Sequence, residues 1–167
     1  MFILKLGNQL SAVSALTLSL LLAGTPSKSM SQDKLGTVDF KTTCSAEGQE
    51  AFNMGLTALH HMMYIPAEAA FSQGLDADPD CAMLNWGIAM STFHPLWPGG
   101  PSQGETARGN AAADRLRGNG GGSEVEKALI SSVLAFFDPE NGGYRPSIAA
   151  WADAMEPVYR AHSDNVD

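Results

Sequence analysis

The side chains in this 167-residue chain best suited to chemistry are two cysteines, four histidines and eight methionines. Cys44 and Cys81 are an even pair, which in an exported protein favours a disulfide. A free buried thiol and a metal thiolate are the alternatives. A bridge closing the 37 residues between them would stabilise the fold by roughly 3–4 kcal/mol. His60 and His94 stand 34 residues apart, with Met83 and Met90 between them. Imidazole and thioether together suit a soft ion such as copper, and imidazole also suits zinc. Met62-Met63 reads as packing material rather than a copper pair. His61 and His162 read as single surface or hydrogen-bonded residues.

A search for catalysis finds little. The chain has no His-Glu-x-x-His, Gly-x-Ser-x-Gly or Cys-x-x-Cys. Glu47 and Glu50 suit a helix N-terminus, and Asp78 and Asp80 suit a turn around Pro79. Asp76, Asp78 and Asp80 alternate as in a calcium loop. The sixth position would be Cys81 rather than glycine and the twelfth Gly87 rather than glutamate, so that reading fails.

The elements that must position these residues read as helices. After an irregular polar leader at 30–43, Ser45 opens a stretch with Ala51, Met54, Gly55, Ala58, Leu59 and Met62 at helical steps. Pro66 fits the first turn of a second helix carrying Ala67, Ala70, Phe71, Gly74 and Leu75. A third runs from about Cys81 to Phe93 and ends at His94-Pro95. Residues 95–122 hold three prolines and eight glycines. Inside them a short helix over Glu105–Leu116 would turn Ala107, Ala111, Ala112 and Leu116 inward. Gly118–Gly122 reads as a flexible link. It is no phosphate loop, because no Gly-Lys-Ser/Thr follows it. Ser123 and Glu126 form a capping box for a helix reaching Phe136. Pro146 opens a last helix with Trp151, Met155, Val158 and Tyr159. No segment alternates apolar and polar residues as a strand does, so the fold class is all-α.

Residues 48–81 resemble one tetratricopeptide unit, a repeat 34 residues long. Gly55 takes the glycine position, Tyr64 the turn tyrosine, Ala67 the small residue, Phe71 the aromatic and Pro79 the closing proline. Ala51, Ala58 and Gly74 depart from the usual Trp, Tyr and Ala. The longer run Leu59-His60-His61, Asp78-Pro79-Asp80-Cys81-Ala82-Met83, Trp86-Gly87-Ile88-Ala89-Met90-Ser91 and His94-Pro95-Leu96-Trp97 is similar to a family of exported bacterial tetratricopeptide proteins. The resemblance covers 44–97 closely and 124–166 loosely. It implies antiparallel hairpins stacked as a right-handed α-solenoid, with repeat helices over 44–94, the Gly/Pro-rich loop at 95–122 and a further helical pair at 123–167. Members of that family are longer, so it also implies that this chain is a piece of a larger one.

In such an array His60 and His94 occupy equivalent places on the concave face. Phe52, Leu56, Met83, Trp86 and Met90 would accompany them, with Leu59, Phe93 and Trp97 close by. Three uses follow: gripping a protein or peptide by aromatic anchors, holding copper or zinc through His60 and His94, or packing against further helices. The leading expectation is a non-enzymatic scaffold without a cofactor. An enzyme whose site lies in the Gly-rich loop or outside this chain is the remaining alternative.

Residues 1–29 read as an export signal, with Lys5 before the apolar stretch LSAVSALTLSLLLA and small residues after it. A retained membrane anchor is the competing reading. Cleavage places the chain in the periplasm or outside the cell, with no membrane insertion afterwards. The net charge of −8 would become −10 with Lys5 and Lys28 removed, since no acid precedes residue 30. No basic run exists, which argues against nucleic acid and anionic lipid as partners.

Overall fold

A computed structural model describes residues 35–96 and 99–163. The export-signal reading and Trp97 fall outside those residues. Among them there are six α-helices and no strand: α1 Ala46–His60, α2 Tyr64–Ala77, α3 Ala82–Phe93, α4 Gln103–Gly118, α5 Glu124–Phe136 and α6 Tyr144–Ala161. A 3-10 turn, Pro139–Asn141, precedes α6. No described helix is long and apolar enough to cross a membrane.

Local chemistry explains the helix ends. The Ser45 hydroxyl accepts the Gly48 N–H at 3.1 Å and starts α1. Ser102 with Glu105, and Ser123 with Glu126, form reciprocal capping boxes that open α4 and α5. The first box moves the start of α4 to Gln103, ahead of the expected Glu105. Its inward stripe is then Gly109, Ala112, Ala113 and Leu116, while Ala107 and Ala111 face solvent, contrary to expectation. Spacing decides this, since i, i+3, i+4 and i+7 share one helix face. Met62 turns the chain between α1 and α2 in the left-handed conformation at φ +55°. His94 ends α3 in the same region at φ +48°.

The helices pack mainly as adjacent antiparallel pairs: α1 with α2, α3 with α4, and α5 with α6. The pairs join through α2 against α3, and α1, α3 and α5 also touch in succession. The joint of the first three helices is Phe71, which is 0% exposed. A Cβ on Gly55 would lie 2.5 Å from its ring, and one on Gly87 2.4 Å. The ring therefore fits only because α1 and α3 each offer bare backbone there. Farther along, Phe93 stacks on Phe136 at 4.2 Å and meets Phe137 and Trp151 edge-on. Tyr159, on the last helix with Trp151, Met155 and Val158, is exposed.

Two segments expected to be loose are held in place. Phe40, in the leader, is buried 5.7 Å from Phe52. Gln49 accepts the Thr42 N–H at 2.8 Å and donates to the Phe40 carbonyl at 2.9 Å. The glycine link is held by Glu126, whose side chain is fully buried. It accepts from the backbone N–H groups of Thr43 at 2.7 Å, Ser123 at 2.7 Å and Gly122 at 3.2 Å, and from the Thr43 hydroxyl at 2.9 Å. One carboxylate thus fastens the leader to the α4–α5 link. Gly122 also lies where a Cβ would strike Thr43.

Burial pushes the Glu126 carboxyl up, but the hydrogen bonds from Ser123 and Thr43 outweigh it and hold it below its ordinary value of 4.5. A carboxyl lowered by folding stabilises fully above that ordinary value, and its contribution is lost as pH falls through the lower folded value. Glu126→Gln is expected to cost about 2 kcal/mol near neutral pH, the worth of hydrogen bonds to a charged acceptor. The gap between variant and parent should narrow in acid. Urea midpoints at pH 7 and pH 3.5 measure both effects, and an equal gap at the two values would show that charge has no part in it.

Candidate functional site

The apolar positions of α1 not spent on α2 point to a cleft. Phe52, Leu56, Leu59 and His60 follow one another at helical steps on α1, and Trp86 and Met90 are one turn apart on α3. These six, with Phe40, Leu129 of α5 and Met155 of α6, line a space of about 260 Å³. Phe52 and Trp86 form part of its wall, with ring centroids 6.1 Å apart. His60 is exposed, whereas Phe52, Leu56 and Trp86 are buried and Met90 is half-buried. The Trp86 indole N–H is buried without a hydrogen-bond partner. An unpaired buried donor is uncommon, because it forfeits its hydrogen bond to water.

Five of the seven residues expected on the concave face, Phe52, Leu56, His60, Trp86 and Met90, therefore line one cleft. Met83 is buried in the core and does not line it. His94 belongs to a different neighbourhood. Its ring lies 4.4 Å from that of Tyr64, its Nε2 is 3.3 Å from Glu105, and its carbonyl accepts the Tyr144 hydroxyl at 3.0 Å. His60 is the last residue of α1, while His94 is one residue past α3 in the left-handed conformation. A separation of one repeat does not give equivalent directions when one residue is helical and the other is not. Among the described residues, neither histidine belongs to a converging group of three or more His, Cys, Asp or Glu side chains.

The surroundings of His94 are polar and largely paired. Hydrogen bonds from Ser102 pull the Glu105 carboxyl down, with burial opposing and His94 adding to the fall. Arg108 grips both oxygens of Glu68, tying α4 to α2. Burial, then the nearby Tyr64, pushes the Tyr144 hydroxyl up. Beside Tyr144 opens a second cleft of about 680 Å³, lined in part by Gly100, Asn110, Asp114, Arg117, Phe137 and Asp138. Its Arg117 is already bonded to Asp114 and to the Phe137 carbonyl. Sequence reasoning missed this cleft. The available signal was the pair of diglycines at 99–100 and 142–143, which flank it.

Phe40, Leu129 and Met155 were also missed as lining residues. Phe40 had a signal, as the one aromatic in an otherwise polar leader. The expected Cys44–Cys81 disulfide is present and joins the approach to α1 to the residue that caps α3. Compared with known proteins, the chain matches no family model, no curated protein and no solved structure.

Proposed function

We propose that this protein is an exported binding module of tetratricopeptide type. In this reading it holds an apolar segment of a partner protein in the cleft of Phe52, Leu56, His60, Trp86 and Met90. The consecutive helix pairs, the contacts among the first helices of the pairs, and the Gly55–Phe71–Gly87 crossing support the repeat reading. The disulfide supports an oxidising compartment, the periplasm or the exterior. The observation that carries the binding reading is the cleft's lining of aromatic and thioether side chains with one unpaired indole donor. Aromatic rings supply contact area at low entropy cost, and methionines adapt to the shape of an anchor. A net charge of −8, or −10 once Lys5 and Lys28 leave with the export signal, favours basic flanks on the partner.

The test is fluorescence anisotropy with labelled twelve-residue peptides. One set carries Leu or Phe anchors between lysines, and the matched set carries serine in place of the anchors. Anchored peptides should bind, and Met90→Lys should weaken them at least tenfold, about 1.4 kcal/mol. Equal binding of both sets, or indifference to Met90→Lys, would sink the reading.

A further inference from the structure

The disulfide has a third neighbour. The sulfurs of Cys44 and Cys81 and a carboxylate oxygen of Asp78 all lie within 4.8 Å of one another. Cys81 is 4% exposed, while Cys44 and Asp78 are half-buried, so the group is reachable from one side. The carboxylate is already oriented: its Oδ2 accepts the Ser45 N–H at 2.6 Å. Its Oδ1 makes no hydrogen bond among the described residues. Gly48 keeps the space clear, because a Cβ there would lie 2.6 Å from Asp78 Oδ2 and 3.1 Å from the Cys44 Cβ. Cys44 immediately precedes the N-cap of α1 and Cys81 is the N-cap of α3. Thiolates at helix N-termini are favoured over thiols.

From this geometry we infer that the reduced form of the protein binds one Zn²⁺ through Cys44, Cys81 and Asp78, in exclusive competition with the disulfide. A dithiol reductant gives two electrons and two protons to the Cys44–Cys81 bond and leaves as its own disulfide. Zn²⁺ then displaces the two thiol protons, and water completes the tetrahedron. Two thiolates and a carboxylate are a borderline-soft set suited to zinc. Ligands of one tetrahedral zinc stand about 3.5–3.8 Å apart, given bonds of about 2.3 Å to sulfur and 2.0–2.2 Å to oxygen. On reduction the two sulfurs, bonded to each other in this structure, part to that spacing while the Asp78 carboxylate stays beside them. The Ser45 N–H would serve as the outer hydrogen bond that fixes the carboxylate. Ligand charge of −3 against +2 leaves a net −1, which the two helix N-termini favour.

The experiment is competition of the whole chain with a chromophoric chelator for Zn²⁺, in the reduced and the oxidised form, with Asp78→Asn and Cys44→Ser beside the parent. Circular dichroism and melting are followed with and without the ion. The reduced parent should bind one Zn²⁺ and melt higher with it. The oxidised parent should bind far more weakly, Asp78→Asn roughly 100-fold more weakly, and Cys44→Ser should lose the melting shift. Should the reduced chain unfold, Zn²⁺ should restore its helicity. Binding of equal strength in the oxidised parent, or in Asp78→Asn, overturns the inference, and so does a reduced chain that Zn²⁺ neither stabilises nor refolds. Cu(I) held as tightly by Asp78→Asn as by the parent, with Zn²⁺ held by neither, would mean a two-thiolate copper site and overturn it as well.

Discussion

Phe71→Ala is expected to lower the stability of the protein by about 3–5 kcal/mol. The ring has no exposed surface, and its walls are the bare backbones of Gly55 on α1 and Gly87 on α3. A cavity closes when neighbouring side chains lean into it. Two glycines have none to offer, which leaves the Phe52 ring, 5.9 Å away, as the neighbouring aromatic that could lean in, so the cost belongs in the upper part of the range for Phe→Ala. Of a typical total of 5–15 kcal/mol this is a large part. It should lower Tm by about 10–15 °C, given a few degrees per kcal/mol for a domain of this size. Phe71→Leu keeps most of the volume and should lose much less. Urea unfolding of both variants measures the difference. A loss below about 1 kcal/mol for Phe71→Ala would mean that α1, α2 and α3 do not meet at this ring.

Phe71 was also among the residues most legible in the sequence. Gly55, Ala67, Phe71 and Pro79 sit at fixed steps, and small-against-large packing at a helix crossing needs those steps. Ser45 and Ser123 were legible for a similar reason: a cap is chemistry between residues three apart. The Ser102–Glu105 box was just as local, but the surrounding glycines and prolines made the segment read as loop and delayed the expected start of α4. What stayed hidden was pairing across the chain. Glu126 reads as the partner of Ser123, and so it is, but it also receives the Thr43 N–H from 83 residues away. No local pattern announces such a bond, and with it the leader and the glycine link change from loose segments into fixed ones.

The cleft divides in the same way. Phe52, Leu56, His60, Trp86 and Met90 follow from helical periodicity on α1 and α3, which fixes their direction. Leu129 and Met155 reach the cleft only because α5 and α6 arrive there, and spacing within α1 or α3 says nothing about that. His94 was misplaced by a difference of one residue in where a helix stops. Periodicity carries a residue's direction only as far as the helix lasts.

Removing the disulfide, as Cys44→Ala/Cys81→Ala, is expected to cost about 4 kcal/mol. The bond spans 37 residues, and loop-closure entropy for that length gives this value. The mechanism differs from that of Phe71. The bridge ties together the starts of α1 and α3, which packing already holds near each other, so the folded state gains little from it. The gain lies in the unfolded chain, where it keeps the α1–α2 segment closed into a ring. The two variants should therefore differ in kind as well as size. Phe71→Ala should shift the urea midpoint with an unchanged slope. The double-alanine variant should shift the midpoint and steepen the slope, because its unfolded chain exposes more surface. Asp78 should still receive the Ser45 N–H, so helicity near neutral pH should match the parent. A midpoint shift with no change in slope would place the stabilisation in native packing around Cys81 instead. Reduced wild-type chain kept free of metal should behave as the double-alanine variant does, and its departure from that behaviour when Zn²⁺ is supplied measures how far one ion replaces one covalent bond.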